Sequence, residues 1–343
     1  MPVVNVSGCQ YWKTTTDIIA RPNSTMKNRR MTKRSAPREA SLRPYFVLMV
    51  AQIAVGAAAI FARFALTGAG PIAVSASRLT IAAIALLALA AIRRPRERIK
   101  MSGRDRAIFA VAGLALAIHF AAWIWSLQYT SVAISTLLVA TTPIWTALYD
   151  AVARGLKLSA PAFFSFAAAA AGLVMVVGFT ATPPPIPGHA VLGASLAIAG
   201  AIGIAVYFIL IREVRASFGT RAIVTQTYTW AALALVVAAI ATRQPPPPLN
   251  DGVAWGGIIA MALVSQLLGH TAMNAALRWF SASAVAFTTL VEPVVAALLA
   301  LAIFNERLTA IAVAGGLLVL GAIGIFIREE RRGEARYEVK AAV

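Results

Sequence analysis

The sequence predicts an all-α polytopic membrane protein with ten transmembrane helices in two inverted five-helix repeats. Three observations carry that prediction: ten long apolar blocks, a one-sided distribution of cations, and a weak internal repeat. Of the 343 residues, 59% are hydrophobic and 13% charged; mean hydropathy is +0.76. That leaves too little charge to coat a soluble domain of this size. A membrane helix needs about 20 apolar residues to cross roughly 30 Å of hydrocarbon. Ten such blocks lie near 45–66, 71–92, 107–127, 131–153, 161–179, 190–211, 222–241, 253–277, 282–303 and 309–327. Continuous Ala/Leu/Val runs such as Ile81–Ile92 and Ala167–Phe179 lack the alternation of a membrane β-strand. As helices they satisfy their own backbone in lipid.

The net charge of +18 would suggest nucleic acid in a soluble protein; here the positions of the cations argue against it. With the N-terminus placed in the cytoplasm and sides alternating, cytoplasmic segments hold 27 of the 31 Lys and Arg. The other side holds Arg243 and Arg307, while Arg63 and Arg78 lie within spans. This is the positive-inside pattern and places both termini in the cytoplasm, with the bacterial inner membrane as the expected location. The stripe RRPRERIK (93–100) is first an orientation device and could also touch anionic lipid.

Shifting the chain by 150 residues brings landmarks together. Tyr129-Thr130-Ser131 meets Trp279-Phe280-Ser281, Pro143 meets Pro293, and Ala147-Leu148 meets Ala297-Leu298. Leu158-Ser159-Ala160 meets Leu308-Thr309-Ala310. Five spans per half is an odd number, so the second half enters the membrane upside down. The expected organisation is a disordered basic cytoplasmic tail over 1–43, repeats over 44–179 and 180–327, and a solvated C-terminal tail over 328–343. Residues 1–43 contain no apolar h-region, which excludes a secretory signal. Their composition also suits an organellar transit segment, and Met26 and Met31 offer later starts. The only cysteine, Cys9, allows no intrachain disulfide. Pro183–Pro185 with Pro187, Pro245–Pro248 and Gly70-Pro71 punctuate the non-cytoplasmic loops, where proline stiffens short connectors.

The stretch VEPVVAALLALAIFNERLTAIAVAGGLLVLGAIGIF (291–326) resembles the last two spans of the EamA family, in the drug/metabolite transporter superfamily. SLQYTSVAISTLLVATTPIWTALYDAVARGLKLS (126–159) is a fainter copy, and SRLTIAAIALL (77–87) is similar to the family's Arg-bearing second helix. The resemblance covers about 45–327. It implies two inverted five-helix halves around a central cavity and transport of small metabolites, often amino-acid-like and often outward. One departure stands out: Glu306 of the second half is matched by Leu156 in the first.

Ionisable groups at membrane depth are costly to insert and default to functional hypotheses. Glu292, before Pro293, could take up a coupling proton or bind a substrate amine. Pro293 frees a backbone carbonyl that could line the same cavity, or is merely a kink. Arg78 lies about seven residues into its span; it could bind a substrate carboxylate by a bidentate fork or be the fixed partner of Glu292. Arg63 is close enough to its helix end to snorkel. His119 and His270 sit on corresponding helices, but the 150-residue shift brings His270 to Phe120. Either histidine is a candidate for proton coupling, and the third ligand a metal site requires is not evident. Trp123, Trp125, Tyr207, Gln266 and Asn274 could shape an amphipathic cavity; packing or an interfacial belt is the alternative for the aromatics. Gly193, Gly200 and Gly203, and Gly315, Gly316, Gly321 and Gly324, read as close helix packing. Asp150 is expected to be hydrated at the cytoplasmic end of its span.

A secondary transporter of a small metabolite, acting by alternating access as monomer or homodimer without cofactor, is the leading expectation. Two alternatives compete with it. An intramembrane enzyme would need a second membrane Asp beside Asp150, or a motif such as G-x-S-x-G or H-E-x-x-H, and none is present. A non-transporting receptor or assembly subunit would expose larger loops.

Overall fold

A computed structural model describes residues 42–92, 101–130, 132–155, 159–177, 186, 188–304 and 309–341. The tail before Leu42, the 93–100 stripe, Leu156, Pro183–Pro185, Pro187 and Glu306 lie outside the described residues. Those described contain helices and no strand. The segments are α1 (Arg43–Gly56), α2 (Ala58–Ala65), α3 (Pro71–Ile92), α4 (Gly103–Tyr129), α5 (Val132–Val139), α6 (Thr142–Arg154) and α7 (Ala160–Val177). Then follow α8 (Ala190–Val214), α9 (Thr220–Ala241), α10 (Gly252–Ala260), α11 (Thr271–Ala276), α12 (Ala282–Thr288), α13 (Glu292–Phe304) and α14 (Ala310–Ala341).

Among the described residues eight helices are long and apolar enough to cross a membrane: Arg43–Ala65, Pro71–Ile92, Gly103–Tyr129, Ala190–Val214, Thr220–Ala241, Gly252–Ala276, Ala282–Ile303 and Ala310–Glu329. The 161–179 block is a shorter apolar helix, Ala160–Val176, and the 131–153 block is divided between α5 and α6. Helix α14 runs on through Ala341, into the segment expected as a solvated tail. The run after Ile327 is rich in Glu, Arg and Ala, strong helix formers, and contains no proline.

The packing treats the two halves alike. The principal contacts join α3 to α9, α7 to α14, α4 to α8, and the α1–α2 helix to the helix begun by α10. Exchange each block of the first half with its counterpart in the second: the first two pairs map onto themselves and the last two onto each other.

Glycine sets two of these crossings. A Cβ at Gly203 would stand 2.9 Å from Ala115 O and 3.0 Å from His119 N, so only glycine lets α8 lie this close to α4. Gly172 and Gly315 do the same for α7 and α14: a Cβ on either would be 2.6 Å from the other's carbonyl oxygen. Gly321 and Gly324 behave otherwise. They are exposed with open space beside them, because α14 meets α7 on the face that carries Gly315, Val319 and Ala322.

The two ends of the bundle differ in chemistry. At the basic end Ser102 caps α4: its Oγ accepts from Asp105 N at 3.1 Å while Asp105 Oδ2 accepts from Ser102 N at 2.8 Å, a reciprocal cap. Arg104 lies 3.5 Å from Glu213 on α8. The α8–α9 turn is closed by Arg215, which donates to Thr220 Oγ1 at 2.7 Å and to Phe218 O at 3.4 Å. Burial, and then the nearby Arg278 charge, lowers its guanidinium to about 10, so it stays protonated at neutral pH. At the proline end Gln244 Oε1 accepts from Ile72 N at 3.0 Å, and Asp251 caps α10 by accepting from Ala254 N at 3.0 Å. Helix α9 ends with Gln244 N–H on Ala239 O and Arg243 N–H on Ile240 O, and Arg243 has φ 54°. Glycine is the usual residue in this left-handed cap, and a side chain there costs about 1–2 kcal/mol.

The glycine contrast is directly testable. Gly203→Leu should destabilise the protein by about 1–3 kcal/mol through overpacking, lowering its thermal midpoint in detergent. Gly321→Ala should leave stability unchanged or raise it by up to about 1 kcal/mol. Equal loss in both variants would refute the placement of Gly203 at the α4–α8 crossing.

Candidate functional site

Two helix breaks bring the two halves to one place. Proline lacks the N–H that would bond the carbonyl four residues earlier, so Pro143 frees Val139 O and Pro293 frees Thr289 O. Val139 O is taken up by the Thr142 hydroxyl at 2.7 Å. Thr289 O accepts the Glu292 N–H through a 3₁₀ turn over Thr289–Val291. Hydroxyls share the work nearby: Thr141, Thr288 and Thr289 donate to Leu138 O, Val285 O and Ala286 O at 2.6, 2.7 and 2.7 Å. Gln52 on α1 reaches the second break and donates to Thr288 Oγ1 at 2.8 Å. Irregular backbone at membrane depth persists where such substitutes exist or where it borders a cavity.

Both conditions are met here. Val139 and Thr142 from the first break, and Thr289 and Glu292 from the second, line one small cavity of about 30 Å³ with His119, Phe120, Trp123 and His270. That is space for about one water. Glu292 opens α13, where the positive end of the helix dipole meets its carboxylate. Among the described residues the carboxylate has neither an ion pair nor a hydrogen bond. Pro293 is buried beside it.

The histidines are fixed from opposite halves. His119 Nδ1 lies 2.8 Å from Gly200 O. A carbonyl only accepts, so Nδ1 carries the proton and Nε2 is the free acceptor of the neutral ring. The close approach of α8 at Gly203 supports this contact. Trp123 stacks parallel to His119 with centroids 6.3 Å apart. His270 stands 6.3 Å from His119 and 5.1 Å from Phe120, and its Nδ1 is buried without a hydrogen-bond partner among the described residues.

Arg78 lies behind this cavity. It is 0% exposed, its Nη2 donates to Gln266 Oε1 at 2.8 Å, and its Cζ sits 4.1 Å above the centre of Phe120. Among the described residues Nε and Nη1 have no hydrogen-bond partner, nor does Gln266 Nε2. Arg78 is therefore not the ion-pair partner of Glu292: Gln266 holds it, and Phe120 separates it from the cavity. A buried cation with unfilled donors and no carboxylate among the described residues is energetically expensive.

Gln266 belongs to a stretch whose distortion no sequence signal marked. Between α10 and α11 the helix widens to π geometry over Met261–His270, a distortion frequent at functional sites. Tyr228 OH lies 3.4 Å from Gln266 O. Tyr207 donates to Asn274 Oδ1 at 2.9 Å, and Asn274 Nδ2 to His270 O at 2.8 Å. Tyr207 and Asn274 thus brace the backbone under His270 instead of lining the cavity.

The expectation for Asp150 is corrected. Its side chain is 15% exposed, and it accepts from Arg154 at 2.9 Å and from Ser283 Oγ at 2.7 Å, with Arg212 at 3.7 Å. Helices α8 and α12 both close on α6 at this point, so partners replace water. Phe120, Thr142, Thr289 and the Asp150 cluster are what residue-by-residue reading missed. The repeat held one clue. Phe120 and His270 are equivalent positions under the 150-residue shift, and equivalent positions that touch must lie near the axis relating the halves.

The model of the EamA-like transporter family matches the chain twice, over 42–178 and 191–328. No curated protein matches it. A solved crystal structure superposes with TM-score 0.69 at 17% identity, covering 86% of this chain and 100% of its own, and shares the fold. The chain carries several apolar helices able to cross a membrane, with a family match over both halves: it belongs to the EamA-like transporter family, whose members are membrane transporters.

Proposed function

We propose that this protein is a secondary transporter that moves a small, amino-acid-like metabolite by alternating access, in the outward direction, across a cell membrane of the bacterial inner-membrane type. The observation that carries the reading is the meeting of two equivalent broken helices, one from each matched half, at a cavity lined by Glu292, His119 and His270. Broken helices whose ends face one mid-membrane site, on halves free to rock, are the recurrent architecture of such transporters. In this reading α5–α6 and α7 supply two crossings beside the eight long helices. The halves are then inverted, and the basic end is cytoplasmic.

The charges favour a zwitterion. Glu292 offers an unpaired carboxylate to an ammonium group, or to a proton that couples transport. Arg78 offers two unfilled donors to a carboxylate. A rotation of Phe120 would expose that guanidinium to the cavity it now borders, exchanging a cation–π contact for a charge-assisted fork. The roughly 30 Å³ cavity is too small for a metabolite, which suits an occluded state between openings.

Three measurements test this. In a Cys9→Ser background, single cysteines at Arg98 and Arg215 should label from the same side of the membrane, and one at Leu249 from the other. Labelling of Arg98 and Arg215 positions from opposite sides would refute the topology. In proteoliposomes Glu292→Gln should lower transport about 10-fold or more, the loss of a charged hydrogen bond, and flatten its pH dependence. Unchanged rate and pH profile would remove Glu292 from the mechanism. Arg78→Gln should weaken transport of carboxylate substrates about 10- to 100-fold while holding or raising thermal stability, since an unpaired buried charge is lost. Intact transport with a falling thermal midpoint would make Arg78 structural.

A further inference from the structure

A second hollow, far larger than the central cavity and sharing no lining residue with it, lies between α3, α9 and α10 at the proline end. Its volume is about 580 Å³, within the range of ligand sites. Small residues of α3, Ala76 among them, form its floor; Val236 and Ile240 of α9 and Trp255 of α10 form its walls. Ile240 is 73% exposed, so the hollow opens on the outer surface of the bundle, the surface that meets lipid. Arg243 and Gln244 stand at one end, and the hydroxyls of Ser77 and Thr80 lie along α3.

We propose that this groove binds one anionic phospholipid, an acyl chain lying along α3 and α9 and the phosphate on Arg243. Four observations converge. Apart from the Ser77 and Thr80 hydroxyls the lining is apolar along the spans, and it is cationic only at their end, matching a lipid's own division. Trp255, at the start of α10, donates from Nε1 to Pro248 O at 3.1 Å, an amphipathic ring at the depth where headgroups sit. The Arg243 side chain has no ion pair or hydrogen bond among the described residues, and it is the one cation among the residues that line this groove. Finally, Arg243 holds φ 54° in a helix cap that glycine fills with less strain. A charged side chain kept where glycine is easier points to a use for the charge. Gln244 anchors the segment to Ile72 N, which fixes Arg243 at the groove mouth.

The test uses the full-length protein in phosphatidylcholine nanodiscs containing phosphatidylglycerol with a diazirine in one acyl chain. After irradiation, labelled peptides are mapped by mass spectrometry, with an otherwise identical phosphatidylcholine probe run in parallel. The expected result is labelling of peptides within 71–92 and 220–241 by the phosphatidylglycerol probe. It should fall about five-fold in Arg243→Gly, the effect of one interfacial cation, with labelling at the basic end unchanged. Arg243→Gly relieves the backbone and should fold at least as well. Ala76→Phe, which fills the floor, should reduce groove labelling while leaving solute transport in place. The proposal is overturned if the groove is unlabelled, if both probes label it equally, or if Arg243→Gly retains the phosphatidylglycerol label.

Discussion

The backbone's need for hydrogen bonds in an apolar medium governs this molecule. Every long helix satisfies it internally, and at two equivalent prolines the pattern is interrupted. Each interruption leaves carbonyls that Thr hydroxyls and a tightened turn recover from within. The recovery is local, so the breaks do not unravel the bundle, and it places polar groups where none would otherwise be stable. The cavity between the halves follows from this arrangement. Its lining is assembled from the ends of half-helices, and those ends present Thr142, Thr289 and Glu292 to one another's neighbourhood.

Around that centre the structure distributes unfilled hydrogen-bonding capacity unevenly. Among the described residues Glu292 lacks a cation, Arg78 lacks an anion, and Gln266 stands between Arg78 and full isolation. A packed membrane core normally tolerates neither charge. The two are not used to neutralise each other, although both lie on the inner faces of the bundle. Phe120 is the element that keeps them apart, stacked on the guanidinium on one side and bordering the cavity on the other. Glycine contacts between α4 and α8 serve the same centre, holding Gly200 O where it orients His119.

Much of the fold was legible because lipid simplifies the code. Ten apolar runs read as spans, and among the described residues eight of them are helices long and apolar enough to cross a membrane; one-sided Lys and Arg argue for their orientation. Pro293 marked a candidate kink, and the repeat set Pro143 at the matching place, although the 131–153 block read as one continuous span. Other features were hidden for definable reasons. The π stretch over Met261–His270 carries no proline or glycine pair that would mark a distortion; it arises where α1, α3 and α9 all press on one helix. Asp150 looked hydrated because its partners Arg212 and Ser283 are remote in sequence. Gly321 and Gly324 looked like packing glycines because spacing alone does not say which face of α14 meets α7.

By itself, then, the sequence determined that the chain carries several apolar segments able to cross a membrane, that it repeats, and which ionisable residues sit within those segments, since each depends only on local composition and spacing. Tertiary structure alone decided what those residues meet. Arg78 faces Gln266 and Phe120 instead of Glu292, and Tyr207 and Asn274 brace a helix instead of lining the cavity. Partner choice depends on the rotation of each helix about its axis, and one residue of slip turns a side chain by about 100°. That rotation is set by glycine contacts and by packing between distant blocks.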